Sequence, residues 1–259
     1  MKKRTFRTLL AAFAALQCSI GAAGAGPSRT ESQLDDQAYQ VQKPQLTRTL
    51  AQDRVMERIA ARIEPVAQRL YQAPFSFYLT KEADPDAYSY YGPRVYVSRG
   101  MVDYADNTEE LAGVMCHEVS HVLHHDGTRT DRTTAAANAK VQSFLHRAMR
   151  VTHNHLARAI GAMSGAGERI AELRYSRGQE EAADLSGATV CSEAGSNPWG
   201  IVWMLQKLQR QTHPRGLSWF QDHPSLKARI ATLSRVLRRN TAFAMWASDE
   251  TVAATPIKR

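Results

Sequence analysis

The chain reads as a mostly helical α+β domain with one small β-sheet. Three observations predict it. Apolar residues recur at helical spacing through most of residues 48–240. Period-two alternation is confined to residues 75–98. After the first 25 residues nothing resembles a transmembrane helix. The composition is that of an ordinary globular protein, with 22% charged and 43% apolar residues. Its 259 residues suffice for one sizeable core.

Residues 1–25 have the form of a signal peptide. Lys2, Lys3, Arg4 and Arg7 make a positive start, residues 8–25 carry no charge, and Ala23-Gly24-Ala25 fits a small-residue cleavage site. The expectation is a mature start at Gly26 and a periplasmic or otherwise extracytoplasmic protein. Two alternatives fit less well. A membrane anchor needs Gln17 and Ser19 inside the span. A lipoprotein at Cys18 would have Gln17 where a small residue is wanted. The formal charge of +8 falls to 8 − 4 = +4 without the four leading cations, too small an excess to imply nucleic acid. Cleavage leaves Cys116 and Cys191, which an oxidising compartment permits to bridge.

Residues 26–47 are polar, with Pro27 and Pro44, and are expected as a loose leader. Over residues 48–71, Leu50, Val55, Ile59, Ile63, Val66 and Leu70 predict a helix that Pro65 kinks or divides. Residues 75–80 predict a strand, and residues 88–91 and 95–98 a hairpin around Gly92-Pro93. Asn107 or Thr108 caps the next helix, which Glu109 and Glu110 start and which runs towards Gly127. Residues 133–163 predict a long helix or a helical pair, broken by Ser164-Gly165-Ala166-Gly167. Lys140, Arg147, Arg150 and Arg158 give that stretch a basic side, compatible with peripheral membrane association or with ordinary packing. Helices over 179–194, 199–211 and 225–238 complete a domain spanning 48–240, followed by a patternless tail over 241–259.

His117-Glu118-Val119-Ser120-His121 is the motif that carries chemistry. Two histidines four apart on a helix share a face and can hold one zinc ion, and the glutamate between them can act on the attacking water. Flanking Val114, Met115, Val119 and Val122 half-bury the helix, so the histidines could also be plain core residues. A catalytic zinc wants three protein ligands. An extended motif with a third histidine six residues on is excluded, because residue 124 is His and residue 127 is Gly. His124 and His125 are expected at the helix end, where the dipole favours imidazolium, and not on the metal. The third ligand then comes from Glu180 or Glu181. Glu180 and Asp184 lie one helical turn apart, so Glu180 could bind the metal while Asp184 takes a ligand imidazole's other N–H.

Three stretches together resemble the HtpX-like and Oma-like zinc metallopeptidases, family forty-eight of the metallopeptidases, which also contains the CAAX prenyl proteases. They are the run Glu109 to His121, the block Tyr175 to Asp184, and Asp222-His223-Pro224 through Arg229. The resemblance implies a gluzincin-like domain with a small sheet beside the HExxH helix. It implies a zinc ion on His117, His121 and Glu180, with Asp184 and Arg229 behind them. It implies Glu118 as catalytic base and His223, held by Pro224, as donor to the oxyanion. Three departures stand out. Ser120 replaces a common Gly. His125-Asp126 stands where an Arg-His pair often ends the helix, and neither is expected to touch the ligands. Asp86 replaces an Asn of the approach strand, where substrate is aligned.

The function so implied is a zinc-dependent endopeptidase of cell-envelope proteins, taking unfolded or extended chains by strand addition near residues 88–98. Two other readings share the motif: an envelope chaperone or adaptor with a metal site, and a zinc hydrolase of peptidoglycan peptides.

Overall fold

The computed structural model describes residues 26–47, 53–129, 175–210 and 226–257. Helix α1 (Arg29–Gln42) leads through a 3-10 turn, Lys43–Gln45, to α2 (Arg54–Tyr71). Strands β1 (Ser76–Thr80), β2 (Ala87–Ser89) and β3 (Arg94–Ser98) follow, then α3 (Arg99–Tyr104) and α4 (Thr108–Leu123). After these come α5 (Arg177–Glu193), α6 (Trp199–Arg210), α7 (Leu226–Arg239), a 3-10 turn at Thr241–Phe243 and α8 (Glu250–Ala253). No described helix is long and apolar enough to cross a membrane.

Helix α4 is the hub. It packs on α5, α6, α2 and the sheet, and every side chain from Glu110 to Leu123 is buried. Asn107 caps it, its side chain accepting from the Glu110 N–H at 2.8 Å. Helix α2 buries Met56, Ile59, Ile63, Ala67 and Tyr71 on one face. It runs unbroken through Pro65, because Pro65 and Ala61, whose carbonyl loses its partner, both face solvent.

The sheet has the order β1-β3-β2, with β1 parallel and β2 antiparallel to β3. One face sends Phe77, Leu79, Ala87, Val95 and Val97 into the core. The other carries a tyrosine rung, Tyr78–Tyr96–Tyr88, stacked across directly paired positions at 5.5 and 5.3 Å. Helix α1 lies over that rung. Tyr39 packs on Tyr78 at 5.4 Å, Arg94 bonds Asp36 at 2.8 Å and also pairs with Asp35, and Gln42 donates to the Tyr90 hydroxyl at 2.7 Å. The segment expected as a loose leader is therefore an ordered, capped helix. Its inward residues are Glu31, Asp35 and Ala38, mostly polar, so apolar periodicity does not reveal it.

Two contacts fasten α5 to α4. Cys116 and Cys191 are joined as a disulfide with Cα atoms 5.7 Å apart. Gly187 lies so close that a Cβ there would sit 3.2 Å from the His117 Cα and N, so glycine lets the two helices approach closely at the first histidine of the motif. The patternless tail also has structure. Thr108 N–H donates to the Thr255 carbonyl at 2.9 Å, fastening the tail to the start of α4.

Candidate metal centre

His117 and His121 lie one turn apart on α4, and both are buried. Their rings meet edge to face at 4.7 Å and their Nε2 atoms stand 3.1 Å apart. Glu180 enters from the first turn of α5, which the Ser176/Gln179 capping box starts and where the helix dipole favours a carboxylate. Its carboxylate oxygens lie 3.6 Å from His117 Nε2 and 3.5 Å from His121 Nε2. Tetrahedral zinc arms of ~2.0–2.1 Å put neighbouring ligand atoms ~3.3–3.4 Å apart. The two Nε2 atoms stand 3.1 Å apart, with Glu180 Oε1 3.5 Å from one and Oε2 3.6 Å from the other, close to that spacing, and two imidazoles with one carboxylate are a zinc-type donor set. Among the described residues, this His117–His121–Glu180 group could hold a metal ion. Glu181, its neighbour, is only half-buried and is not part of the group.

Each imidazole is held from behind by an acid. Asp184 Oδ1 is 3.0 Å from His117 Nδ1, and Asp126 Oδ2 is 2.9 Å from His121 Nδ1. Both contacts turn Nε2 towards the shared centre. Asp126 corrects the expectation that the helix-end pair stays clear of the ligands. His124 caps α4, and His125 takes a left-handed φ of 55°, which folds the chain back so that Asp126 points inward. Gln179 then donates to Asp126 Oδ1 at 3.1 Å, linking the turn to the cap of α5. His124 lies at the helix end, as expected; burial holds its pKa below the ordinary value, and its Nε2 is 2.9 Å from Ser186 Oγ.

Arg229 reaches in from α7, fully buried. It bonds Asp184 at 2.7 and 2.8 Å and Glu180 Oε2 at 2.5 Å. Burial works to raise the Asp184 pKa, but the Arg229 guanidinium outweighs it and keeps Asp184 ionised. Burial alone would keep both histidines neutral. It prevails at His117, whose pKa falls. At His121 the Asp126 bond and Glu180 overrule it and push the pKa up to about 10. Asp184, Glu180 and Glu118 lie around the Arg229 guanidinium, and Asp126, Glu180 and Glu118 around His121, a gathering of carboxylates whose charge a divalent ion would help offset.

Glu118 is buried beside His117, and Ser89, the last residue of β2, places its Oγ 3.5 Å from Glu118 Oε2 and 3.4 Å from the Glu118 carbonyl oxygen. The edge strand therefore runs up to the proposed base. Tyr175 stacks on the His121 ring at 3.8 Å and 13°. The sequence offers Tyr175 only as part of a motif and Asp126 only as part of a departure at the helix end, and gives no signal for Ser89. His223 and residues 133–163 lie outside the described residues, as does the signal segment.

Two imidazoles and a carboxylate that could hold a metal ion, set in a mostly helical fold, form the kind of centre that metallopeptidases use. Residues 48–237 match the model of peptidase family M48, and the chain belongs to that family. It is 29% identical over 145 residues to a β-barrel assembly-enhancing protease of Yersinia pestis, covering 54% of this chain and 29% of that protein. It is 23% identical over 201 residues to the metalloprotease LoiP of Escherichia coli, covering 74% of each. A protease HtpX homolog of Salinibacter ruber is 27% identical over 173 residues, 56% of this chain and 60% of that protein. The chain thus spans less than a third of the length of the Yersinia relative.

Proposed function

We propose that this chain is a zinc-dependent endopeptidase of gluzincin type that cuts unfolded or extended proteins of the cell envelope. The observation that supports it best is the convergence of His117, His121 and Glu180 on one buried point, with Glu118 buried alongside. A zinc ion held there supplies a Lewis acid for the scissile carbonyl and a water of pKa ~7. The Glu118 carboxylate accepts the proton of the attacking water and returns it to the leaving amine nitrogen. The substrate backbone lies along the outer edge of β2, which leads to Ser89 and so brings the scissile bond to Glu118. His223 donates to the developing oxyanion, a role the His-Pro motif suggests. An envelope location rests on the signal-like first 25 residues and on relatives named for β-barrel assembly. Quality control of envelope proteins is the biological role that follows.

Glu118→Gln tests the reading. The variant should keep one zinc per chain and lose casein hydrolysis by at least ~100-fold, the scale of general acid–base catalysis. Loaded protein with more than a few per cent of wild-type activity would remove Glu118 from the mechanism. Wild-type protein that binds zinc but leaves casein uncut would favour the chaperone or peptidoglycan readings.

A further inference from the structure

The two candidate metal-binding imidazoles are not held alike. His117 has Asp184 behind it and the backbone seam at Gly187 beside it. His121 has Asp126 behind it and, across its face, the ring of Tyr175, near-parallel at 13° and 3.8 Å between centroids. A carboxylate behind a ring fixes the direction of its nitrogens but leaves it free to rock about that bond. A flat ring against its face removes the second freedom. Tyr175 is buried, with 6% of its surface exposed, so water does not compete for this contact.

The other end of Tyr175 is tied as well. Its hydroxyl hydrogen-bonds Ser89 and lies in the field of Glu118, Asp126 and Glu180. Ser89 Oγ is in turn 3.5 Å from Glu118 Oε2 and 3.4 Å from the Glu118 carbonyl oxygen. Face of His121, ring of Tyr175, hydroxyl of Ser89 and Glu118 form one continuous series from metal ligand to base. Ser89 also closes the edge strand, so the series begins where substrate is expected.

We propose that Tyr175 is a positioning residue of this centre: its ring holds the plane of His121 while its hydroxyl, through Ser89, sets Glu118 against that plane. The inference rests on the peptidase reading above. It separates two functions in one side chain, and the two can be removed separately. Tyr175→Phe keeps the stacked face and loses the tie. Tyr175→Leu loses both.

Full-length protein is titrated with zinc against a chromophoric chelator, its cobalt-substituted form is examined by visible absorption, and casein-peptide kinetics are measured. Tyr175→Leu should bind zinc roughly 2- to 10-fold more weakly, the scale of one aromatic stacking contact, and its cobalt bands should change. Tyr175→Phe should keep wild-type zinc affinity and cobalt bands, yet lose several-fold in kcat with KM unchanged. Ser89→Ala should reproduce that loss, and the double variant should be no worse than either single one. If Tyr175→Leu does not fold, Tyr175→Met fills similar volume without an aromatic face and takes its place. Wild-type zinc affinity and cobalt bands in the non-aromatic variant, or wild-type kcat in Tyr175→Phe, would overturn the proposal while leaving the peptidase reading intact. Wild-type protein that takes up no zinc would overturn both.

Discussion

Replacing Arg229 by methionine removes the guanidinium that joins Asp184 and Glu180 while keeping most of its volume. Arg229 is buried and bonds Asp184 at 2.7 and 2.8 Å and Glu180 at 2.5 Å. Taking away one member of a buried ion pair costs ~3–5 kcal/mol, because the partner's charge stays buried without compensation. For a domain of this size, that is a fall in Tm of roughly 6–20 °C. The loss should depend on both pH and metal. Arg229 is the chief reason Asp184 stays below its ordinary pKa of 3.8, so the stability it confers is present above that value and disappears as pH falls through the folded-state pKa. The gap between variant and wild type should therefore be widest near neutrality and close in acid. Zinc brings replacement positive charge, so saturating zinc should raise the Tm of Arg229→Met more than that of wild type. Thermal unfolding in chelator and in zinc, at pH 7 and in acid, reads all of this. A variant within ~2 °C of wild type in chelator at pH 7 would refute the charge argument.

Two more predictions concern acids that composition does not single out. Asp126→Ala frees the outer nitrogen of His121 and should weaken zinc binding ~10- to 100-fold in a chelator competition; unchanged affinity would dismiss Asp126 as a support. Burial raises the Asp35 pKa to about 6 from 3.8, so its contribution is most favourable below 3.8 and is lost as pH rises through about 6. Between pH 5 and 7.5, wild type should lose ~1–2 kcal/mol relative to Asp35→Asn in urea unfolding, and parallel pH profiles would reject the assignment.

What the sequence made legible follows the kind of signal each element carries. Helices α2 and α7 bury stripes at a period near 3.6, while α4 and the first half of α6 are buried all round and α5 buries mainly small and polar residues; all five could still be read, from apolar runs, caps and breakers. The sheet was legible because alternation in residues 76–98 places apolar residues on one face and tyrosines on the other. Helix α1 was not, because it buries Glu31 and Asp35 against tyrosines and a cation, a polar interface with no apolar period. Helix α3, with six residues, is too short for a period to show. The tail after Asn240 is held by backbone bonds, such as Thr108 to Thr255, which side-chain patterns do not report. At the candidate site, spacing exposed His117, Glu118 and His121, and family resemblance selected Glu180 over Glu181. Asp126 escaped because its role depends on the left-handed turn at His125, a backbone event at a residue that rarely adopts it. Tyr175 and Ser89 escaped because their contacts join segments far apart in the chain.

Zinc titration of Glu180→Ala beside Glu181→Ala tests the central claim most directly. The two glutamates are adjacent and about 100° apart around α5. Glu180 is fully buried between Arg229 and both histidines, and Glu181 is half exposed. Glu180→Ala should lose zinc affinity by orders of magnitude, and peptide hydrolysis with it. Glu181→Ala should keep both, within the ~0.5 kcal/mol of an ordinary surface substitution. Metal lost in Glu181→Ala but retained in Glu180→Ala would contradict the account.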